Sequence, residues 1–443
     1  MEDRSDHVTK SNQDVHEPCR TMVQDGVMFP AAPTEVGETG VDRDTLCDLA
    51  LKIAYRFHRC STRTVANEMR LPIPLVEDLM LEMARDHFLE ILGLDSPSNH
   101  RYALAGRGQE RVSRLLQVSR YAGPAPISLD AYSAMIAYQT QNFPKVTLND
   151  VKTSLSDLVL AADQVLVVGL AVTAGRSLFV WGTTGNGKTA TARAIHRALQ
   201  GELWIPHCID VGGSVIQVFD PNIHERVDEQ HSSMWEIDGR WVRIRRPLVV
   251  AGGEMTLESI ELSYSPTLGL YELPLHAKAN GGTFVIDDFG RQRAAPADLL
   301  NRWIIPMEHG FDYLTLQTGR KIVVPFNQLL IVATNLEPDK IMDSAFLRRL
   351  GYRVEITGPD EERYRKIFEL VAENESLEIP PDLLPHLFQR YREEGRELRA
   401  CEPRDLIGRV CDVCRMRQQP NQLTLPLMDI AWSGYFGTMH RGD

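Results

Sequence analysis

The run Gly182-Thr183-Thr184-Gly185-Asn186-Gly187-Lys188-Thr189 sets three glycines, a lysine and a hydroxyl in the spacing that a phosphate chain requires. Glycines free the backbone to turn its N–H groups toward phosphate oxygens, and the start of a following helix adds partial positive charge. Lys188 then reaches the outer phosphates, Thr189 offers its hydroxyl to Mg²⁺, and Ala190 completes the cradle. The motif must follow a strand and open a helix. Apolar Ser177–Trp181 precedes it, and Ala190–Leu199, rich in good helix formers, follows. The expected ligand is a nucleoside triphosphate, ATP with Mg²⁺, and the expected reaction is its hydrolysis.

Hydrolysis also needs an acidic metal partner and a group that activates water. Thr283-Phe284-Val285-Ile286-Asp287-Asp288 supplies both at the end of an apolar strand. Asp287 would anchor Mg²⁺ and Asp288 would polarise the attacking water. Aspartate is one methylene shorter than glutamate, so it must sit closer or work through a second water. The bland alternative is a helix N-cap aspartate after a buried strand. A further strand, Leu329–Thr334, ends in the amide of Asn335.

These residues resemble the AAA+ ATPase superfamily over roughly residues 150–415. The resemblance implies that Thr334-Asn335 is the sensor-1 element, with Asn335 orienting the catalytic water. It makes Asp343–Leu350 the arginine-finger helix, with Arg349 first and Arg348 second as the guanidinium that reaches a neighbouring subunit's nucleotide. Cys401–Leu406 is similar to the sensor-2 region, where Arg404 would touch the phosphates. Taken alone, paired arginines are more often solvated, and Pro403 at a helix start explains the Arg404 spacing equally. The resemblance further implies a homo-oligomeric ring that uses hydrolysis to remodel a protein or protein–nucleic-acid partner. An ATP-gated switch or transcriptional regulator with little turnover is the alternative, motivated by Asp288 in the glutamate position.

Ala279–Phe284, Leu299-Leu300 and a hairpin from Phe311 to Phe326, with Thr318-Gly319-Arg320-Lys321 at its tip, look like the enhancer-binding activator, MoxR and chelatase branch. There the hairpin faces a ring pore. The Gly-Ala-Phe-Thr-Gly-Ala loop of the activators is absent between Leu203 and Asn280. An insertion stands in its place, with a strand over Arg240–Arg246 whose period of two sets Trp241, Arg243 and Arg245 on one face. That face suits an acidic partner or a nucleic-acid backbone, or is a solvated sheet edge.

The alternation of strands and helices predicts an α/β fold, a parallel P-loop NTPase sheet covered by helices. Residues 1–40 carry no sustained period and read as a disordered tail. Residues 41–125, three helices and a hairpin, resemble a winged-helix domain. Residues 126–358 read as the ATPase core and 359–443 as a C-terminal helical lid. The third helix of the N-terminal domain carries Glu77, Asp78, Glu82 and Asp86 against Arg85. Such a helix repels phosphates, so a protein-docking or ring-packing role is favoured over DNA binding, for which Arg101 and Arg107 remain the argument.

With 60 Asp and Glu against 48 Lys and Arg, the net charge of −12 disfavours a nucleic-acid-coating protein. Seven scattered cysteines fit a reducing cytoplasm. Cys411-x-x-Cys414 lies inside a helical segment without two further ligands, so buried thiols explain it better than zinc. No apolar run is long enough to cross a bilayer, so membrane insertion is not expected.

Overall fold

A computed structural model describes residues 21–24, 27–96, 99–227, 237–338 and 349–437. Five apolar runs form one wholly parallel sheet: β1 (Leu178–Trp181), β2 (Leu248–Ala251), β3 (Thr283–Ile286), β4 (Leu329–Thr334) and β5 (Tyr352–Glu355). Their spatial order is β2-β3-β4-β1-β5. The strands are near-continuously hydrophobic because both faces are covered. Phe179, Phe284, Leu330 and Val332 pack with Trp303 and Leu299 on one side. Leu178, Val180, Val285 and Ile331 pack with Val168, Ala192 and Ile195 on the other. This is the expected α/β P-loop NTPase arrangement, and it gathers the C-terminal ends of β1, β3 and β4 on one edge, where doubly wound sheets bind ligands.

The insertion builds two smaller sheets. Glu202–Pro206 pairs antiparallel with Trp241–Arg245, and five short strands assemble around Cys208–Val211 and Ser214–Gln217. The hairpin Phe311–Thr315 and Lys321–Pro325 sends Leu314, Leu316, Ile322 and Val324 into a core shared with Ile209, Ile216, Tyr271 and Ile136. Its tip rests on the insertion. The Gln317 N–H donates to Tyr271 Oη at 3.1 Å, and the Arg320 guanidinium lies so close to Gly212 that a Cβ there would be 2.2 Å from Nη1.

The N-terminal helices Arg43–Phe57, Thr62–Met69 and Ile73–Arg85 are followed by the antiparallel strands Leu89–Ser96 and Asn99–Leu104. Asp42 and Ser61 cap the first two helices. A fourth helix, Gly106–Val118, completes this region. Of the expected tail, residues 1–20 and 25–26 lie outside the described residues, but 21–24 and 27–40 are structured. Thr21–Gln24 pairs with Val27–Pro30, Ala31 bridges Ile237, and Phe29 is buried with Met135, Trp204 and Trp241. Beyond this local hairpin, Phe29 and Ala31 find their partners about a hundred or more residues away, which is why the segment's own sequence shows no periodicity.

Trp241, expected to share an exposed face with Arg243 and Arg245, is buried. Arg240 beside it is buried against Asp238, Nη2 to Oδ2 2.8 Å. Its Nη1 donates to the carbonyls of Thr39 and Pro126 at 2.8 and 3.3 Å, fastening the N-terminal region to the insertion. The helices Glu361–Asn374, Leu383–Glu393, Glu402–Met416 and Leu425–Phe436 form the C-terminal helical region. Cys411 and Cys414 are buried in its core, and no cluster of three or more His, Cys, Asp or Glu side chains placed to hold a metal occurs among the described residues.

Two half-buried histidines set an acid limit on this fold. Burial first, and neighbouring arginines second, push His196 (Arg246) and His207 (Arg70, Arg226) from 6.5 down to about 4. The unfolded chain therefore takes up protons near pH 6.5 that the folded imidazoles refuse, and stability is lost as pH falls from there toward 4, at about 1.4 kcal/mol per unit for each group. The urea midpoint is expected to drop steadily between pH 7 and pH 5. A flat profile would contradict neutral burial of both rings.

Candidate nucleotide site

The loop after β1 is built for close backbone approach. At Gly182, φ is +140° and a Cβ would sit 2.2 Å from the Ile356 carbonyl oxygen, so no other residue fits. Gly187, φ +90°, is the N-cap of the helix Lys188–Ala198. Lys188 is buried, and its Nζ donates to the carbonyls of Gly182 and Thr183, both at 3.0 Å. Burial lowers its pKa, while Asp288 and Asp287 pull it back up. Thr184 and Ala190 are exposed along the loop and helix start.

β3 delivers the carboxylates. Thr189 Oγ1 donates to Asp287 Oδ2 at 2.8 Å, so hydroxyl and carboxylate already face one point at the helix N-terminus. Asp288 takes the left-handed conformation, φ +49°, which costs about 1 kcal/mol or more for a residue with a Cβ. Three contacts hold it there. Its N–H donates to Asp287 Oδ1 at 3.0 Å, the following Phe289 N–H reaches Ala333 O at 2.8 Å, and Asn335 Nδ2 donates to Asp288 Oδ1 at 3.0 Å. The amide at the end of β4 therefore grips the carboxylate itself. Gln292, which carried no sequence signal, closes the turn by donating to the Asp287 carbonyl at 2.9 Å and accepting from the Gly290 N–H at 2.8 Å.

The C-terminal helical region touches the loop through residues that spacing did not single out. The Cys401 N–H donates to Gly185 O at 2.8 Å, and the Ala400 N–H donates to Asn186 Oδ1 at 3.1 Å. A Cβ on Gly185 would meet Cys401 Sγ at 2.7 Å and Arg399 Cδ at 3.6 Å. Arg404, in contrast, is 76% exposed, and its guanidinium pairs with the adjacent Asp405 at 3.5 Å. Arg349 donates from Nε to Glu308 Oε2 at 3.2 Å, and Arg348 lies outside the described residues.

These groups suit a Mg²⁺-nucleotide. Thr189 and Asp287 are hard oxygen donors poised at one spot, and Lys188 is a buried ammonium whose partners here are carbonyls of its own loop, which a phosphate would displace.

A family model described as a domain of unknown function (DUF8689) matches residues 360–434. No match to a curated protein was found. Among solved structures, the RuvB Holliday junction branch migration motor of Thermotoga maritima is 14% identical, with 66% of this chain and 72% of that chain covered and a TM-score of 0.34. NtrX from Brucella abortus in complex with ATP is 13% identical, with 72% of this chain and 63% of that chain covered and a TM-score of 0.38.

Proposed function

We propose that the chain is an AAA+ ATPase that binds ATP with Mg²⁺ on Gly182–Ala190 and hydrolyses it as a ring to remodel a protein or protein–nucleic-acid partner. The convergence of Lys188, Thr189–Asp287 and Asp288–Asn335 from three strand ends carries this reading. Loop N–H groups and Lys188 neutralise the phosphates. Asp288, held by Asn335, accepts a proton from the attacking water. Thr189 and Asp287 would hold Mg²⁺, which would supply charge neutralisation to the phosphates. Arg399, whose side chain begins beside Gly185, is the nearer candidate for a cis guanidinium, and Arg404 would serve only after the helical region shifts. Arg349, once it leaves Glu308, and Arg348 are the candidates for reaching a neighbour's nucleotide.

Residues 41–125 are read as a winged-helix-like domain, 126–358 as the core and 359–443 as the lid. Ile91, Leu92 and Leu94 are exposed on the edge strand of the first, which favours protein docking over DNA binding. A cytoplasmic setting agrees with the free cysteines among the described residues. No helix among the described residues is long and apolar enough to cross a membrane.

Purified protein is expected to release phosphate from Mg²⁺-ATP and to gain mass in light scattering when both are added. An Arg349→Ala variant should keep ATP binding and lose roughly 10³-fold in turnover, as removal of an arginine finger does. A protein that stays monomeric and inactive under every condition would overturn the ring. Tight ATP binding with background turnover in wild type would favour the nucleotide-gated switch.

A further inference from the structure

A cleft of about 1070 Å³ opens at the edge of the sheet opposite the phosphate loop. Its location follows from two bonds: His196, in the last turn of the helix that Lys188 begins, contacts Thr283 at the start of β3 at 2.9 Å, and Arg246 donates to the carbonyl of Gly281 just before that strand at 2.6 Å. Arg197, Arg243, Arg245 and Arg246 line it against Glu202 and Glu225. The excess is two positive charges, in a chain whose net charge is −12.

Three of the guanidiniums have carboxylate partners: Arg243 with Glu202 at 2.6 Å, Arg245 with Glu225 at 3.0 Å, and Arg197 with Asp157 at 3.4 Å. Arg246 differs. Its Nε and Nη1 donate to the carbonyls of Gly281 and Gln200 at 2.6 and 3.4 Å, and its Cζ lies 4.1 Å from the Phe143 ring centroid. Among the described residues no carboxylate is within 4 Å of it and its Nη2 has no partner. Burial pulls its pKa down to about 10. A desolvated cation without a counterion is costly, and an incoming anion would relieve that cost.

The backbone beside it specifies what kind of anion. Arg243 O and Arg245 N bond to the 225–227 segment, so Val242 and Ile244 face the strand Glu202–Pro206, and the N–H and C=O of Glu202 and Trp204 point away from it. Trp204's pair is taken by one side chain: Gln139 accepts from its N–H at 2.6 Å and donates to its C=O at 2.9 Å. The Glu202 pair points the same way with no such partner. A strand added there would send every second side chain toward the face of Arg243 and Arg245.

We propose that this cleft docks an acidic segment of a partner protein, bound in extended form along Glu202 with carboxylates on Arg246, Arg243 and Arg245. Peptide rather than nucleic acid is favoured by the Glu202 N–H and C=O, a donor and acceptor pair that an extended polypeptide backbone matches and a polynucleotide does not. The site is separate from the nucleotide reading and stands whether or not ATP is hydrolysed.

The test is fluorescence anisotropy of the full chain with a fluorescein-labelled peptide of alternating Glu and Val, about eight residues and roughly 26 Å when extended. Binding should weaken with salt and fall about tenfold in Arg246→Gln, the loss expected for one charge-assisted hydrogen bond. Arg245→Glu, an exposed substitution that leaves the core intact, should weaken it similarly. A Lys-Val peptide should not bind. Absence of binding by the Glu-Val peptide, or wild-type affinity in both variants, overturns the site. An oligonucleotide of equal charge that competes as well as the peptide overturns the choice of partner.

Discussion

Lys188→Ala is expected to lower phosphate release by roughly 10²–10³-fold, the scale for removing one preorganised charge donor from developing negative charge. ATP affinity should fall with it, because the same ammonium neutralises the outer phosphates in the ground state. The fold should survive. In this structure Nζ is bonded only to the carbonyls of Gly182 and Thr183, and loss of two such bonds costs a few kcal/mol at most. Circular dichroism and the urea midpoint separate a lost site from a lost fold. A well-folded Lys188→Ala protein that hydrolyses ATP at the wild-type rate would defeat the assignment of the loop.

Asp288→Asn isolates the chemical step. Thr189 and Asp287, which hold the metal in the proposed mechanism, are untouched, so nucleotide affinity should change little. Turnover should fall by about 10²–10⁴, the contribution of a positioned proton acceptor. Asparagine tolerates the left-handed backbone that Asp288 occupies, so the variant tests chemistry without adding strain. Single-turnover phosphate release alongside fluorescent-nucleotide binding reads the two quantities independently. If turnover persists, Asp288 is a positioning residue and the water is activated elsewhere.

Which features a linear reading reaches depends on how far apart the interacting groups lie in sequence. The parallel sheet was legible because each strand is a local apolar run, and the glycine loop because its spacing is set within eight residues. The contact of Asn335 with Asp288 spans 47 residues, yet both sit at strand ends, so topology alone brings them near. Arg399, Ala400 and Cys401 meet the loop across more than 200 residues, with no spacing rule to announce them, and Arg404 is singled out by a resemblance alone. Trp241 follows a strand period that was read properly, but the N-terminal hairpin covers its face. Gln292 acts through a backbone turn, for which no residue pattern stands.

The hairpin Phe311–Pro325 leads within four residues into β4, the strand that ends beside Asn335. Its far end is seated on the insertion, and the insertion is bolted to the N-terminal region through Arg240. The hairpin thus joins the strand end beside Asn335 to the insertion and, through it, to the N-terminal region. On the proposed function, a shift of Asn335 on hydrolysis would be carried outward along this β-ribbon toward the N-terminal region.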